Sequence, residues 1–278
     1  MNCKAIYLIG FSLCLNAQNA SALTLCGKLA QGELISGHEA NAHIIKLGTK
    51  EYQATPDGNF ILAFGRDEKA SQKLTITYKD GTQKSWDIKV APTKWDIQNI
   101  KGVPPKKVNP PASAQKAIQK ERTDLGKALS AQSTTPLWEN GFIRPLEGGR
   151  ISGTFGGQRI MNGQKMNSHQ GLDIATPMKT PIKASADGIV TMNEGPYFYS
   201  GTMVVLDHGQ NLSTIYAHLD SVAVKQGQRV HKGDIIAYSG KSGRATGPHL
   251  HWGASLNGVR FNPQSLLRFD INKNCTNL

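Results

Sequence analysis

The sequence predicts a mainly β protein: a small N-terminal antiparallel β-sandwich, a linker with one helix, and a C-terminal antiparallel β domain. Three observations predict it. Apolar residues alternate with polar ones between about Leu25 and Ile100 and again beyond Phe142, the period of two that puts one set of side chains on one sheet face. Turn signals rich in the chain's 29 glycines separate these stretches. A helical period is confined to the region near Ser113 to Ser130.

The elements follow in chain order. Lys4, the apolar run Ala5 to Leu15 and the small residues Ala20-Ser21-Ala22 have the pattern of an export signal over 1–22, cleaved after about Ala22. The run is shorter than the roughly 20 residues that cross a bilayer. A periplasmic or secreted chain with no stable membrane insertion after cleavage is therefore expected. Cys3 and Cys14 leave with the signal, so Cys26 and Cys275 remain. In an oxidising compartment that pair is expected to form a disulfide tying the tail to the first domain.

Residues 23–101 read as the sandwich. Phe60, Leu62 and Phe64 alternate after Asp57-Gly58, Leu74, Ile76 and Tyr78 before Asp80-Gly81, and Trp86, Ile88 and Val90 after it. Alternation around Asp-Gly is a hairpin signal. Residues 102–135 are the linker. Pro104-Pro105 and Pro110-Pro111 break regular structure, Ser113 is positioned to cap a helix, and Ala114, Ile118, Leu125 and Leu129 share one helical face. Residues 136–278 form the third unit, with strands flanking the turns at His208-Gly209-Gln210-Asn211 and Lys232-Gly233-Asp234.

The formal charge is +12, and losing Lys4 leaves 31 basic against 20 acidic residues, a net +11. Such a balance attracts polyanions. Export disfavours nucleic acid, so no nucleic-acid partner is expected and an anionic envelope polymer fits better.

Six of the eight histidines lie in the C-terminal half. His169 and Asp173 flank Gly171, which is expected to let the backbone bend so that both reach one ion. His249 and His251 stand two apart in a predicted strand, so both face one way while Leu250 enters the core. His218 ends a third strand in Tyr216-Ala217-His218-Leu219. Three protein ligands with an open position is the pattern of catalytic zinc, and two cysteines exclude a thiolate cluster. Two histidines beyond a three-ligand set suit proton transfer. His208 and His231 lie in turns and are expected to be solvated. His38 and His43 receive no role.

With these motifs in hand, residues 142–268 resemble the lysostaphin-type, LytM-like zinc endopeptidases of bacterial cell walls. The resemblance rests on Gly153-Thr154-Phe155-Gly156, His169 to Asp173, Tyr216 to Leu219, and Gly247-Pro248-His249-Leu250-His251, in family order. It implies a LytM-like peptidase fold and one zinc ion bound by His169, Asp173 and His251. It further implies that His218 and His249 flank a metal-activated water and the reacting carbonyl, and that the substrate is the peptide cross-link of peptidoglycan. A monomer is expected. The N-terminal domain resembles, more loosely, accessory domains attached to this family in Gram-negative bacteria. The alternative is a non-catalytic peptidoglycan-binding regulator of a cell-wall amidase. A further expectation is that the N-terminal domain or the linker helix covers the zinc cleft.

Overall fold

The computed structural model of the chain describes residues 23–102, 108–130, 133–269 and 275–278. The export segment read from residues 1–22 and the Pro104-Pro105 pair lie outside the described residues. The strands are β1 (Thr24–Cys26), β2 (Leu34–His38), β3 (Ala42–Leu47), β4 (Lys50–Gln53), β5 (Asn59–Ala63), β6 (Ser71–Tyr78), β7 (Gln83–Lys89) and β8 (Ile97–Ile100). After one helix, α1 (Gln115–Leu129), come β9 (Arg150–Gly153), β10 (Gln158–Met161), β11 (Gln164–Lys165), β12 (Leu172–Ala175), β13 (Pro181–Lys183) and β14 (Gly188–Met192). The rest are β15 (Thr202–Asp207), β16 (Leu212–Val222), β17 (Arg229–Val230), β18 (Ile235–Ser239), β19 (His249–Leu256), β20 (Val259–Phe261) and β21 (Cys275–Asn277).

The first part is two four-stranded sheets, ordered β21-β1-β2-β5 and β4-β3-β6-β7. The Asp80-Gly81 turn closes the β6–β7 hairpin, with Tyr78 N–H donating to the Thr82 carbonyl at 2.9 Å. Asp57-Gly58 behaves differently. It carries the chain from β4 in one sheet to β5 in the other. The alternation expected at Phe60, Leu62 and Phe64 is also absent, because Ile61 and Ala63 are equally buried. β5 touches β3 and β4 of the opposing sheet and also β20 of the C-terminal part, so neither of its faces meets water.

The C-terminal part is built on a large antiparallel sheet with the path β17-β14-β15-β16-β19-β12-β9. β18 joins β13 to β16, and β20 pairs with β19. Two strands leave the part of the chain in which the sequence put them. β8 runs parallel to β10, extending the β10–β11 hairpin. β21 pairs with β1, which brings Cys275 opposite Cys26 in a disulfide.

Helix α1 lies on β14 and β15. Leu125, Leu129 and Ala128 pack there against Met192, Met203, Val205 and Ile215. Ser113 does not cap it. A turn of 3-10 helix over Ala112–Ala114 leads straight into α1, and the capping position falls on Ala114. Among the described residues no helix is long and apolar enough to cross a membrane.

His208 overturns the expectation of a solvated turn histidine. It is fully buried. Its Nδ1–H donates to the Asp187 carbonyl at 2.7 Å, so Nε2 accepts from the Thr214 hydroxyl at 2.7 Å. The Thr214, Tyr216 and Ser185 hydroxyls continue the network at 2.9 Å each. His231 is exposed, as expected.

Burial pushes the His208 imidazole down to about 4. The unfolded chain, with an ordinary value near 6.5, takes up this proton first as pH falls. The contribution of His208 to stability is therefore complete above about pH 6.5 and lost as pH drops towards 4. His208→Asn should unfold more easily at pH 7 yet show a flatter dependence over that window, measured by denaturant titration. The disulfide spans 249 residues of sequence, so it restrains a large loop in the unfolded chain. Replacing both cysteines by serine should destabilise the protein by about 2–4 kcal/mol, checked by urea unfolding with and without reductant.

Candidate metal and catalytic site

Four neighbouring strands position the site. In the register of the large sheet, Asp173 on β12 faces His251 on β19 and Gly153 on β9, and His251 faces Ala217 on β16. His249 lies two residues before His251, and both border the same cleft while Leu250 is fully buried. This is the strand geometry expected from the sequence.

His169 precedes β12 in a loop folded against Thr154–Gly157. Its N–H donates to the Gly157 carbonyl at 2.9 Å, and its carbonyl accepts from Gly156 N–H at 2.8 Å. Gly171 serves differently from the expected bend. A β-carbon there would lie 2.6 Å from the Trp252 carbonyl and 2.7 Å from the His251 ring, so what the position requires is an empty side-chain volume.

His218 reaches the cleft by breaking its strand. Thr202 pairs with Leu219 and Val204 with Tyr216, so two residues of β16 oppose one of β15, a β-bulge. His218 adopts φ 62° there, the left-handed region that β-carbon-bearing residues rarely enter. Its N–H, freed from the ladder, donates to the Ser200 carbonyl at 2.8 Å.

The imidazoles are oriented by carbonyls. Nδ1 of His169, His218 and His249 lies 2.8 Å from the carbonyls of Thr154, Ser242 and Gly247 respectively. A carbonyl only accepts, so each Nδ1 carries a proton, and in the neutral ring each Nε2 is a lone pair. The His169 Nε2 lone pair lies 3.0 Å from Asp173 Oδ1 and 3.1 Å from His251 Nδ1, and His251 Nδ1 lies 2.9 Å from the same oxygen. A neutral His169 so oriented sets its lone pair against a carboxylate, which repels unless a cation sits between them. Ligands 2.0–2.2 Å from a tetrahedral zinc are about 3.3 Å apart, close to these separations. Two imidazoles and one carboxylate are also a donor set that zinc favours, so the three residues fit such an ion.

The other two histidines stand beside this trio. The His218 and His249 rings are 4.5 Å apart, and His249 Nε2 is 3.9 Å from Asp173 Oδ1. Burial, followed by the nearby charge of His251, pushes the His218 imidazole down to about 4. Burial acts on Asp173 in the opposite sense and would raise its carboxyl, but His169 and His251 outweigh it and hold the group well below the usual carboxylate range. All five sequence-selected residues line one cleft of about 520 Å³. Its described lining comes entirely from residues between Arg150 and His251. Neither the N-terminal sheets nor α1 covers it among the described residues, contrary to the expected lid.

Those parts do brace the loops that form it. Glu121 of α1 is buried, and its carboxylate accepts from the N–H groups of Tyr199 and Ser200 at 2.8 and 2.9 Å and from the Ser200 hydroxyl. Ser200 in turn holds the His218 backbone. On the opposite flank, Asp96 accepts from the Thr154 hydroxyl at 2.8 Å, and Arg66 Nε donates to the Gly156 carbonyl at 2.7 Å. Trp95 covers Gly156, where a β-carbon would come within 2.2 Å of the indole. Thr154 is the residue whose carbonyl orients His169.

The sequence reading missed Glu121, Asp96 and the cleft residues Arg150, Arg159, Tyr199 and Arg244. The signal available for Glu121 was its place among the apolar positions of α1, three residues after Ile118 and four before Leu125.

An antiparallel sheet that gathers a His-Asp-His set beside two further oriented imidazoles has the form of a metallopeptidase centre. Residues 167–263 match Peptidase family M23. It is 40% identical over 131 residues to the DD-carboxypeptidase/endopeptidase Mpg of Neisseria meningitidis, a match covering 46% of this chain and 30% of that protein. It is 42% identical over 110 residues to the peptidoglycan DD-endopeptidase ShyA of Vibrio cholerae, covering 39% of this chain and 25% of that one. The chain thus spans less than a third of the length of these relatives. A solved Pseudomonas aeruginosa protein assigned to peptidase M23 aligns over 87% of this chain and 95% of its own, with 26% identity and a TM-score of 0.67. That alignment takes in the N-terminal sheets as well.

Glu121→Ala should cost about 1–3 kcal/mol of stability, the penalty for donors left unpaired. It should also slow turnover several-fold while leaving bound metal unchanged. Metal analysis and peptide-hydrolysis kinetics on the same preparation check this.

Proposed function

We propose that the protein is an exported zinc-dependent endopeptidase that hydrolyses the peptide cross-links of peptidoglycan. The observation that carries the reading is the meeting of His169, Asp173 and His251 around one point, with the Nε2 lone pairs of His218 and His249 beside it. The relatives named peptidoglycan endopeptidases support the substrate. The disulfide supports an oxidising compartment, and with the signal pattern of residues 1–22 it supports export.

In this reading His169, Asp173 and His251 hold one zinc ion. When bound, the ion acts as a Lewis acid that polarises a peptide carbonyl and brings the pKa of water to about 7. The chain's own groups do the rest. With its imidazole pushed down to about 4, His218 is neutral at pH 7 and can accept a proton at Nε2. His249, fixed by the Gly247 carbonyl, presents a second Nε2 from a ring whose centroid is 4.5 Å from that of His218. One of the two takes the proton of the attacking water at Nε2 and gives it to the departing amine as the peptide C–N bond breaks, and the other, when it carries a proton taken from solvent, donates to the oxyanion.

Each step has a distinct signature. His169→Ala, Asp173→Ala and His251→Ala should lose both metal and turnover. His218→Ala and His249→Ala should keep the metal and lose about 10²–10⁴-fold in turnover, the range for a general acid or base. Purified peptidoglycan digested with and without a chelator, with product mass analysis, tests the activity. Chelator-sensitive release of un-cross-linked fragments is expected. Binding without cleavage would instead favour the amidase-regulating alternative.

A further inference from the structure

The cleft holds more positive charge than the chemistry uses. Three arginines line it, Arg150, Arg159 and Arg244, against one carboxylate, Asp173, which is already engaged by two imidazoles. Arg159 only approaches Asp173, at 4.0 Å. Among the described residues Arg150 and Arg244 form no ion pair. A guanidinium lining a concave site without a bidentate carboxylate partner is a ready double donor to one.

The arginines are distributed on both sides of the histidines. Arg150 is on β9, and its strand row runs through Ala175 to His249, which puts its backbone two strand spacings or about 10 Å from that of His249. Arg159 on β10 stands beside Asp173. Arg244 occupies the other wall, its guanidinium 4.3 Å from the Tyr199 ring centroid and its N–H bonded to the Tyr199 carbonyl. That stacking holds the charged plane at the cleft while Glu121 fixes the loop beneath it. Burial pulls the Arg244 guanidinium below its ordinary value, with Tyr199 and Glu121 opposing the shift and the charge of Arg159 adding to it, so Arg159 and Arg244 act on each other. A bound zinc ion would add to this positive field.

We propose that Arg150, Arg159 and Arg244 are specificity residues that bind carboxylates on either side of the scissile bond, so that the substrate is a carboxylate-bearing stem-peptide cross-link and not a neutral glycine bridge. The proposal rests on the peptidase reading above and narrows its substrate. An extended peptide crossing the histidine cluster meets Arg244 on one flank and Arg159 with Arg150 on the other. Cationic peptides are repelled from the same cleft.

The test uses the full zinc-loaded chain and three substrates: a cross-linked stem-peptide dimer with free carboxylates, the same dimer with its carboxylates converted to carboxamides, and pentaglycine. The acidic dimer should have a kcat/KM at least about tenfold above its amide, one such factor matching a single charged hydrogen bond, with pentaglycine lower still. Arg244→Gln and Arg159→Gln should each shrink the acid-to-amide ratio towards one with metal content unchanged. Calorimetry of the two dimers on the His218→Ala protein reads the same preference without turnover, and the acidic dimer's binding should weaken as salt rises. Equal kcat/KM or equal binding for acid and amide, or a ratio unaltered in both arginine variants, overturns the proposal. Cleavage of no substrate by the zinc-loaded protein sinks the peptidase reading instead, and the calorimetric comparison still decides whether the arginines bind carboxylates.

Discussion

A single buried carboxylate organises the centre of this molecule. Asp173 is nearly enclosed, and an ionised group in that position is tolerated only if opposite charge or donors surround it. A cation held among Asp173, His169 and His251 would supply that surrounding. The sheet register that sets Asp173 opposite His251 and Gly153 is thus more than packing. A slip of one residue in β12 or β19 would turn the carboxylate or the imidazoles to the other face of the sheet.

Around that centre, backbone carbonyls decide the chemistry of the imidazoles. The carbonyls of Thr154, Ser242 and Gly247 each accept a hydrogen bond from an Nδ1–H and so direct Nε2 inwards. Orientation by a second layer of partners fixes tautomer as well as position. This layer is where segments outside the M23 match enter. Glu121 holds the loop that receives His218, and Asp96, Arg66 and Trp95 brace the turn that carries Thr154. The N-terminal part and the linker helix therefore brace the loops that carry the site, while the described lining of the cleft comes from residues between Arg150 and His251.

Much of this was legible in the sequence because it depends on short periods. Alternation identified the β6–β7 and β15–β16 hairpins, and the spacing of His249 and His251 fixed a shared face, since a strand repeats every two residues. The same logic failed at β5, where contacts on both faces erased the alternation, and at Asp57-Gly58, whose turn chemistry suits a hairpin but which joins two sheets. It failed at His208 too. Turns are usually solvated, but this one is folded inwards and its imidazole is paid for by a buried hydroxyl network.

By itself the sequence determined the fold class, the pairing of Cys26 with Cys275 and the five residues that meet in the cleft. Each of these follows from local pattern, from elimination among few cysteines, or from motifs that resemble a known family. The tertiary structure alone decided that β8 and β21 pair far from their neighbours in the chain and that a bulge turns His218 inwards at φ 62°. It alone decided that Glu121 and Asp96 support the site and that three arginines surround it. Those facts depend on contacts between residues far apart in sequence, whose geometry is fixed only once the sheets have twisted and packed, and no local period records them.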